Sequence, residues 1–99
     1  MKRKFQPEKR PPKVSVDTRI HMDNDCSSHS SVVEIVALDR PGLLYDISST
    51  FAEHNFNIEV GLIATEGGTA TDVFYVTQDG AKLTTSRQHD LQLELEHRL

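Results

Sequence analysis

One cysteine, Cys26, is all the sulfhydryl chemistry this sequence holds, so no internal disulfide can form. A lone thiol points to an intracellular, cytoplasmic setting. No apolar run approaches the ~20 residues needed to span a bilayer. The basic N-terminus lacks the apolar stretch of an export signal, so no membrane partner is expected. A Gly-rich phosphate loop is also missing, since Gly67–Gly68 reads as a hairpin turn. There is no nucleophile–base pair with supporting context. Neither the Gly-Ser plus paired-aspartate arrangement of a nucleotidyltransferase nor a His-Asp phosphohydrolase site is present. The sequence therefore predicts a non-catalytic chain with no cofactor. His21, Cys26 and His29 have spacings that suit zinc, but they lack a fourth ligand and lie in a polar stretch. They are read as surface side chains, with no metal expected. His54, His89 and His97 are read as solvated helix residues.

What is present amounts to one domain of 99 residues with a modest core. The net charge of -4 divides unevenly. Residues 1–13 carry six basic side chains and one acid, a net +5, with Pro7, Pro11 and Pro12 among them. They read as a disordered basic linker. Residues 14–99 carry five basic and fourteen acidic side chains, a net -9. An acidic body disfavours nucleic acid as a partner.

Along the chain, Val14, Val16, Ile20 and Met22 alternate at even positions, which predicts a half-buried strand over 14–22. "VVEIVAL", Val32 to Leu38, predicts a central strand. "DRPG", Asp39 to Gly42, then turns the chain into a helix. Pro41 has a fixed φ and no N–H to donate, which suits a helix start. Leu43, Leu44, Ile47, Phe51 and Ala52 form its expected apolar stripe, up to about His54. Asp39 is placed to accept from the free N–H groups of that helix. "NIEVGLIAT", Asn57 to Thr65, predicts a strand with Ile58, Val60 and Leu62 on one face and Ile63 on the other. "EGGT" supplies a hairpin turn, and Ala70 to Thr77 the returning strand. Its aromatics, Phe74 and Tyr75, are read as core rather than as a base-stacking platform. Thr84 to His97 predicts a second helix with Leu91 and Leu95 inward and Leu93 off the stripe.

From Val32 onward, "VVEIVALDRPGLLYDISSTFAEHNFNIEVGLIAT" and "ATDVFYVT" resemble the ACT domain family, small ligand-sensing modules. The D-R-P-G-L-L corner and the Asn-Ile strand opening about fifteen residues later carry the likeness. "ALDRPGLLYDI" and "DVFYVTQDG" look most like the branch at the C-terminal end of bacterial uridylyltransferase/uridylyl-removing enzymes. The resemblance implies an α+β, ferredoxin-like fold: an antiparallel four-stranded sheet with two helices on one face. The family's last strand has no counterpart after the second helix here, so the run 14–22 is expected to fill that sheet edge. The domain is then 14–99, with 32–99 its core.

The corner suggests a ligand. Backbone N–H groups at a helix start carry about half a positive charge and suit a carboxylate. Gly42 and Leu43 would present them, Asp39 would accept from an ammonium group, and Asn57 can read either end of an amino acid. The resemblance implies a ligand held between this corner of one protomer and the second family strand of another. The expected ligand-binding residues are Asp39, Gly42, Leu43, Leu44 and Asn57. By resemblance alone the ligand is glutamine, and the linked activity is a uridylyltransferase in nitrogen regulation, its catalytic domains being further expected partners. The alternative is a ligand-free dimerisation module in which Asp39 only caps, Gly42 only turns and Asn57 only ties a strand start. Either way a homodimer is expected, paired through the Ile58–Thr65 edges, because Val60, Leu62 and Ile63 place apolar side chains on both faces of that strand.

Overall fold

A computed structural model describes residues 17–99. The expected linker 1–13, and Val14 and Val16 of the expected first strand, lie outside the described residues. The elements run β1 (Arg19–Asp23), β2 (Ser31–Leu38), α1 (Leu43–Glu53), β3 (Asn57–Glu66), β4 (Thr69–Thr77) and α2 (Thr85–Arg98). All strand pairs are antiparallel, in the order β1-β2-β4-β3. The fold is ferredoxin-like α+β, and β1 occupies the edge beside β2.

Period-2 patterning explains the layers. Ser31, Val33, Ile35 and Ala37 of β2 are buried, as are Ala70, Asp72, Phe74 and Val76 of β4. Residues directly opposite in a ladder share a face, so Val33 with Phe74 and Ala37 with Ala70 build one helix-facing side. Ile20 and Met22 of β1 extend it at the edge. Both helices cover this face. From α1 come Leu43, Ile47 and Phe51, and from α2 come Leu91 and Leu95. The rings of Phe51 and Phe74 meet edge to face, 5.3 Å between centroids, a favoured aromatic geometry.

Three expectations need correction. First, Leu44 and Ala52 do not join the α1 stripe; both are exposed. At 100° per residue, Leu43, Ile47, Thr50 and Phe51 make the buried face. Thr50 is tolerated there because its hydroxyl donates to the Asp46 carbonyl at 2.6 Å. Second, β3 does not keep a single alternation. The register shifts between Ile58 and Val60. Ile58 pairs with Val76 on the helix side, whereas Val60 and Leu62 pair with Tyr75 and Val73 on the open side. A bulge inserts one residue and reverses the facing of everything after it, which puts Ile63 opposite Asp72. Third, Asp39 does not cap α1. The N-cap position is Gly42 with φ 82°, and no side chain bonds to the helix start.

Opposite the corner, the β1–β2 connection is fastened by a closed set of hydrogen bonds. The buried Ser31 hydroxyl donates to Asn24 Oδ1 and accepts from the Leu83 N–H at 2.8 Å. Asn24 Nδ2 donates to the Leu83 carbonyl at 2.9 Å. This ties the polar "DNDCSSHSS" stretch to the loop before α2.

Candidate functional site

The corner forms because β2 ends at Leu38 and the chain must cross to the helix layer within four residues. The Asp39 N–H donates to the Gly68 carbonyl at 2.9 Å, anchoring the corner to the β3–β4 hairpin. Gly42 then adopts a left-handed conformation that a Cβ would strain. The Leu43 N–H donates to the Arg40 carbonyl at 3.1 Å, and that of Asp46 to the Gly42 carbonyl at 2.9 Å. Among the described residues the N–H groups of Leu44 and Tyr45 find no acceptor. They are the open donors of a helix start.

A cavity of about 220 Å³ lies against these donors, and Asp39, Gly42, Leu43 and Leu44 line it together with Arg40, Tyr45, Ile63, Thr65, Ala70 and Asp72. Four of the five sequence-predicted residues therefore converge. The fifth does not. Asn57 opens β3 opposite Thr77, at the other end of the sheet, and its Nδ2 donates to Glu59 Oε2 at 2.8 Å. Two residues escaped the sequence reading. Arg40 forms a 2.7 Å ion pair with Asp46 on the first turn of α1. Asp72 is 2% exposed and sits on the helix-facing side of β4, between Ile35 of β2 and Ile63 of β3. Its Oδ1 accepts from the Ala64 N–H at a long 3.3 Å, and among the described residues nothing donates to Oδ2. Burial pushes its carboxyl above the usual range. The Ala64 N–H opposes that rise, and the nearby Asp39 charge adds to it. Ala70, Asp72, Phe74 and Val76 share one face, but Val73 and Tyr75 make the opposite face nearly as apolar, so the sequence alone did not place Asp72.

The cavity is thus lined both by the residues that carry the open N–H groups, Leu44 and Tyr45, and by two carboxylate residues, Asp39 and Asp72. That arrangement suits a small zwitterion. A larger hollow of about 380 Å³ lies between the end of α1 and α2, lined by Glu53, His54, Arg87, Asp90 and Glu94 among others. Its charges already meet one another. Arg87 pairs with Asp90 at 3.1 Å, His54 Nε2 lies 3.7 Å from Glu94, and Glu53 pairs with Arg98. Cys26 is held differently from a metal ligand: its thiol donates to Asp23 Oδ2 at 2.9 Å, and that bond raises its pKa and lowers that of Asp23. Among the described residues no group of three His, Cys, Asp or Glu converges for a metal, and no helix is long and apolar enough to cross a membrane.

Comparison with known proteins agrees with this architecture. A bifunctional uridylyltransferase/uridylyl-removing enzyme of Rhodopseudomonas palustris is 40% identical over 86 residues, covering 85% of this chain but 9% of that protein. The enzyme of the same description from Aliivibrio fischeri is 36% identical over 92 residues, covering 88% of this chain and 10% of its own length. The chain thus spans about a tenth of these curated relatives. A crystal structure of an unknown protein from Galdieria sulphuraria superposes with a TM-score of 0.59 at 28% identity, over 72% of this chain and 39% of that one. Residues 19–99 match the family model described as ACR9-like, ACT-like domain, and on that match the chain belongs to the ACT-like domain family.

Proposed function

We propose that this is a non-catalytic regulatory module that binds a free amino acid, glutamine, at the Asp39–Leu44 corner and controls a uridylyltransferase activity in nitrogen regulation. The observation that carries the reading is the cavity itself: Leu44 and Tyr45, whose N–H groups are open among the described residues, and two carboxylate residues, Asp39 and Asp72, line one small space. At about 220 Å³ it falls below the ~300–1,000 Å³ of drug-sized pockets, which favours a small metabolite. The linked activity comes from the kinship with uridylyltransferase/uridylyl-removing enzymes, and glutamine from the resemblance of the corner motif to that branch of the family. Titration calorimetry of the chain with each common amino acid tests it. Heat with glutamine is expected, and no heat with any amino acid defeats the reading.

A second reading, a ligand-free dimerisation module, is favoured by the β3 edge. Among the described residues that strand has β4 on one side only, and Val60, Leu62 and Ile63 are about half exposed along it. Such an edge invites pairing with a second copy. A dimer that sediments identically with and without glutamine, and gives no binding heat, supports this reading over the first.

A further inference from the structure

A buried carboxylate without a full set of donors is an expensive thing to keep in a core. Asp72 stands in a row otherwise filled by Ala70, Phe74 and Val76, flanked across the ladders by Ile35 and Ile63. An isoleucine or valine there would continue the apolar face. Its one hydrogen bond, from Ala64, is long and leaves Oδ2 free among the described residues. Yet Asp72 lines the same cavity as Leu44 and Tyr45, the residues with open N–H groups at the start of α1. Asp39, the acid the sequence offers for the same job, is exposed. Water screens an exposed carboxylate, so its attraction for a cation is weak, whereas a buried one loses little to solvent. Arg40, which lines the same cavity, is already committed to Asp46 at 2.7 Å.

We propose that Asp72 is the ammonium-reading residue of the corner cavity, so that the site selects a primary amine carrying a carboxylate. The carboxylate lies on the N–H groups at the start of α1, and the ammonium donates to Asp72 Oδ2. Asp39 supplies long-range attraction at the mouth. The inference rests on the reading that the corner binds a free amino acid, and it deepens that reading by assigning the charge that the ligand must carry.

The test compares glutamine with glutaramic acid, the same molecule lacking the ammonium group, by calorimetry on the full chain and its Asp72→Asn and Asp39→Asn variants. If another common amino acid is the one that binds, that amino acid and its desamino counterpart are used. The unsubstituted chain should prefer the amine by roughly 10- to 100-fold, the range for a hydrogen bond to a charged group. Asp72→Asn keeps an acceptor for the Ala64 N–H but removes the charge, and it should erase most of that preference. Asp39→Asn should keep most of it. Loss of preference in Asp39→Asn with retention in Asp72→Asn overturns the assignment while leaving amino-acid binding intact. Absence of binding by any amino acid overturns both. A second measurement needs no variant: the Asp72 side-chain carboxyl carbon followed by NMR through a pH titration. The titratable and charged groups lining the same cavity are Asp39 and Arg40 of the corner and Tyr45 of α1, with Asp46 of α1 paired to Arg40. Binding of the amine should lower the Asp72 pKa by about one unit or more. An unchanged value in the bound state rejects the contact.

Discussion

At the Ser31 end of the sheet, polar groups that leave water meet partners at short range: the Ser31 hydroxyl both donates and accepts, and Asn24 bonds Leu83. At the Leu38 end of the same strand, the N–H groups of Leu44 and Tyr45 are open among the described residues, and Asp72 keeps a single long bond. The strands are common to both ends, so strand chemistry is not the cause of the contrast. Satisfied polar groups hold a fold together, and unsatisfied ones keep recognition capacity in reserve. The first end should therefore break by losing stability, and the second by losing binding.

The sharpest way to test that division is Ser31→Ala. The substitution strands the buried Leu83 N–H and removes the donor to Asn24, an effect of about 1–3 kcal/mol. Denaturant unfolding should show it, while affinity for glutamine at the far corner stays the same. A comparable drop in affinity would mean that the two ends are coupled.

Gly42→Val acts at the other end and should touch both properties. A Cβ at Gly42 would approach no heavy atom closer than 3.9 Å, so crowding within the chain is not the problem. The strain comes from φ 82°, which a β-branched residue tolerates poorly, at about 1–3 kcal/mol. Relief of that strain would turn the open N–H groups away from the cavity. Calorimetry should register weaker binding alongside the lower melting temperature.

Asp72→Asn should move in the opposite sense. The folded-state pKa of Asp72 is raised, so folding favours its protonated form. Its favourable contribution is complete below the unfolded value of 3.8 and is lost as pH rises through the higher folded value. At neutral pH the charged form is a burden, and the amide should stabilise the chain by about 0.5–2 kcal/mol. That gain should shrink as the pH falls through the raised folded value and be nearly gone by 3.8. A melting-temperature series for both proteins across this range checks the sign. A destabilised amide variant at neutral pH would show Asp72 to be structural.

Much of the fold was legible because it rests on local patterning. The β-branched apolar run Val32–Leu38, the Gly67–Gly68 turn with its returning strand Ala70–Thr77, and the Leu91–Leu95 spacing each fix an element without outside help. The β3 bulge was not legible. It depends on which residue of β4 faces Ile58, and a single strand has no knowledge of its partner. Asp39 looked like a helix cap because it precedes the helix, yet α1 begins four residues later and Gly42 holds the cap position. Asp72 was hidden by its own strand: Val73 and Tyr75 make the open face nearly as apolar as the core face, so alternation alone gave the aspartate no obvious side.

Asn57 tests whether the two ends ever meet. Within one protomer it stands at the satisfied end, opposite Thr77 and bonded to Glu59, whereas the cavity is lined by Ile63 and Thr65 from the far end of β3. Its place in the site therefore requires a second copy. Antiparallel pairing of two β3 edges would set Asn57 of one chain beside the Ile63–Thr65 end of its mate, and so beside the mate's corner. The half-exposed Val60 and Leu62 would be covered by the same pairing. If so, ligand and dimer are linked, and glutamine should tighten association. Asn57→Ala should leave the melting temperature of the free chain nearly unchanged, because the side chain is exposed and its one side-chain hydrogen bond among the described residues is to Glu59. Binding should weaken by about 0.5–1.5 kcal/mol for each hydrogen bond removed. Sedimentation velocity with and without glutamine, run on both proteins, separates the cases. A monomer that binds with full affinity, or an Asn57→Ala protein that binds unchanged, would confine the site to one end of one chain.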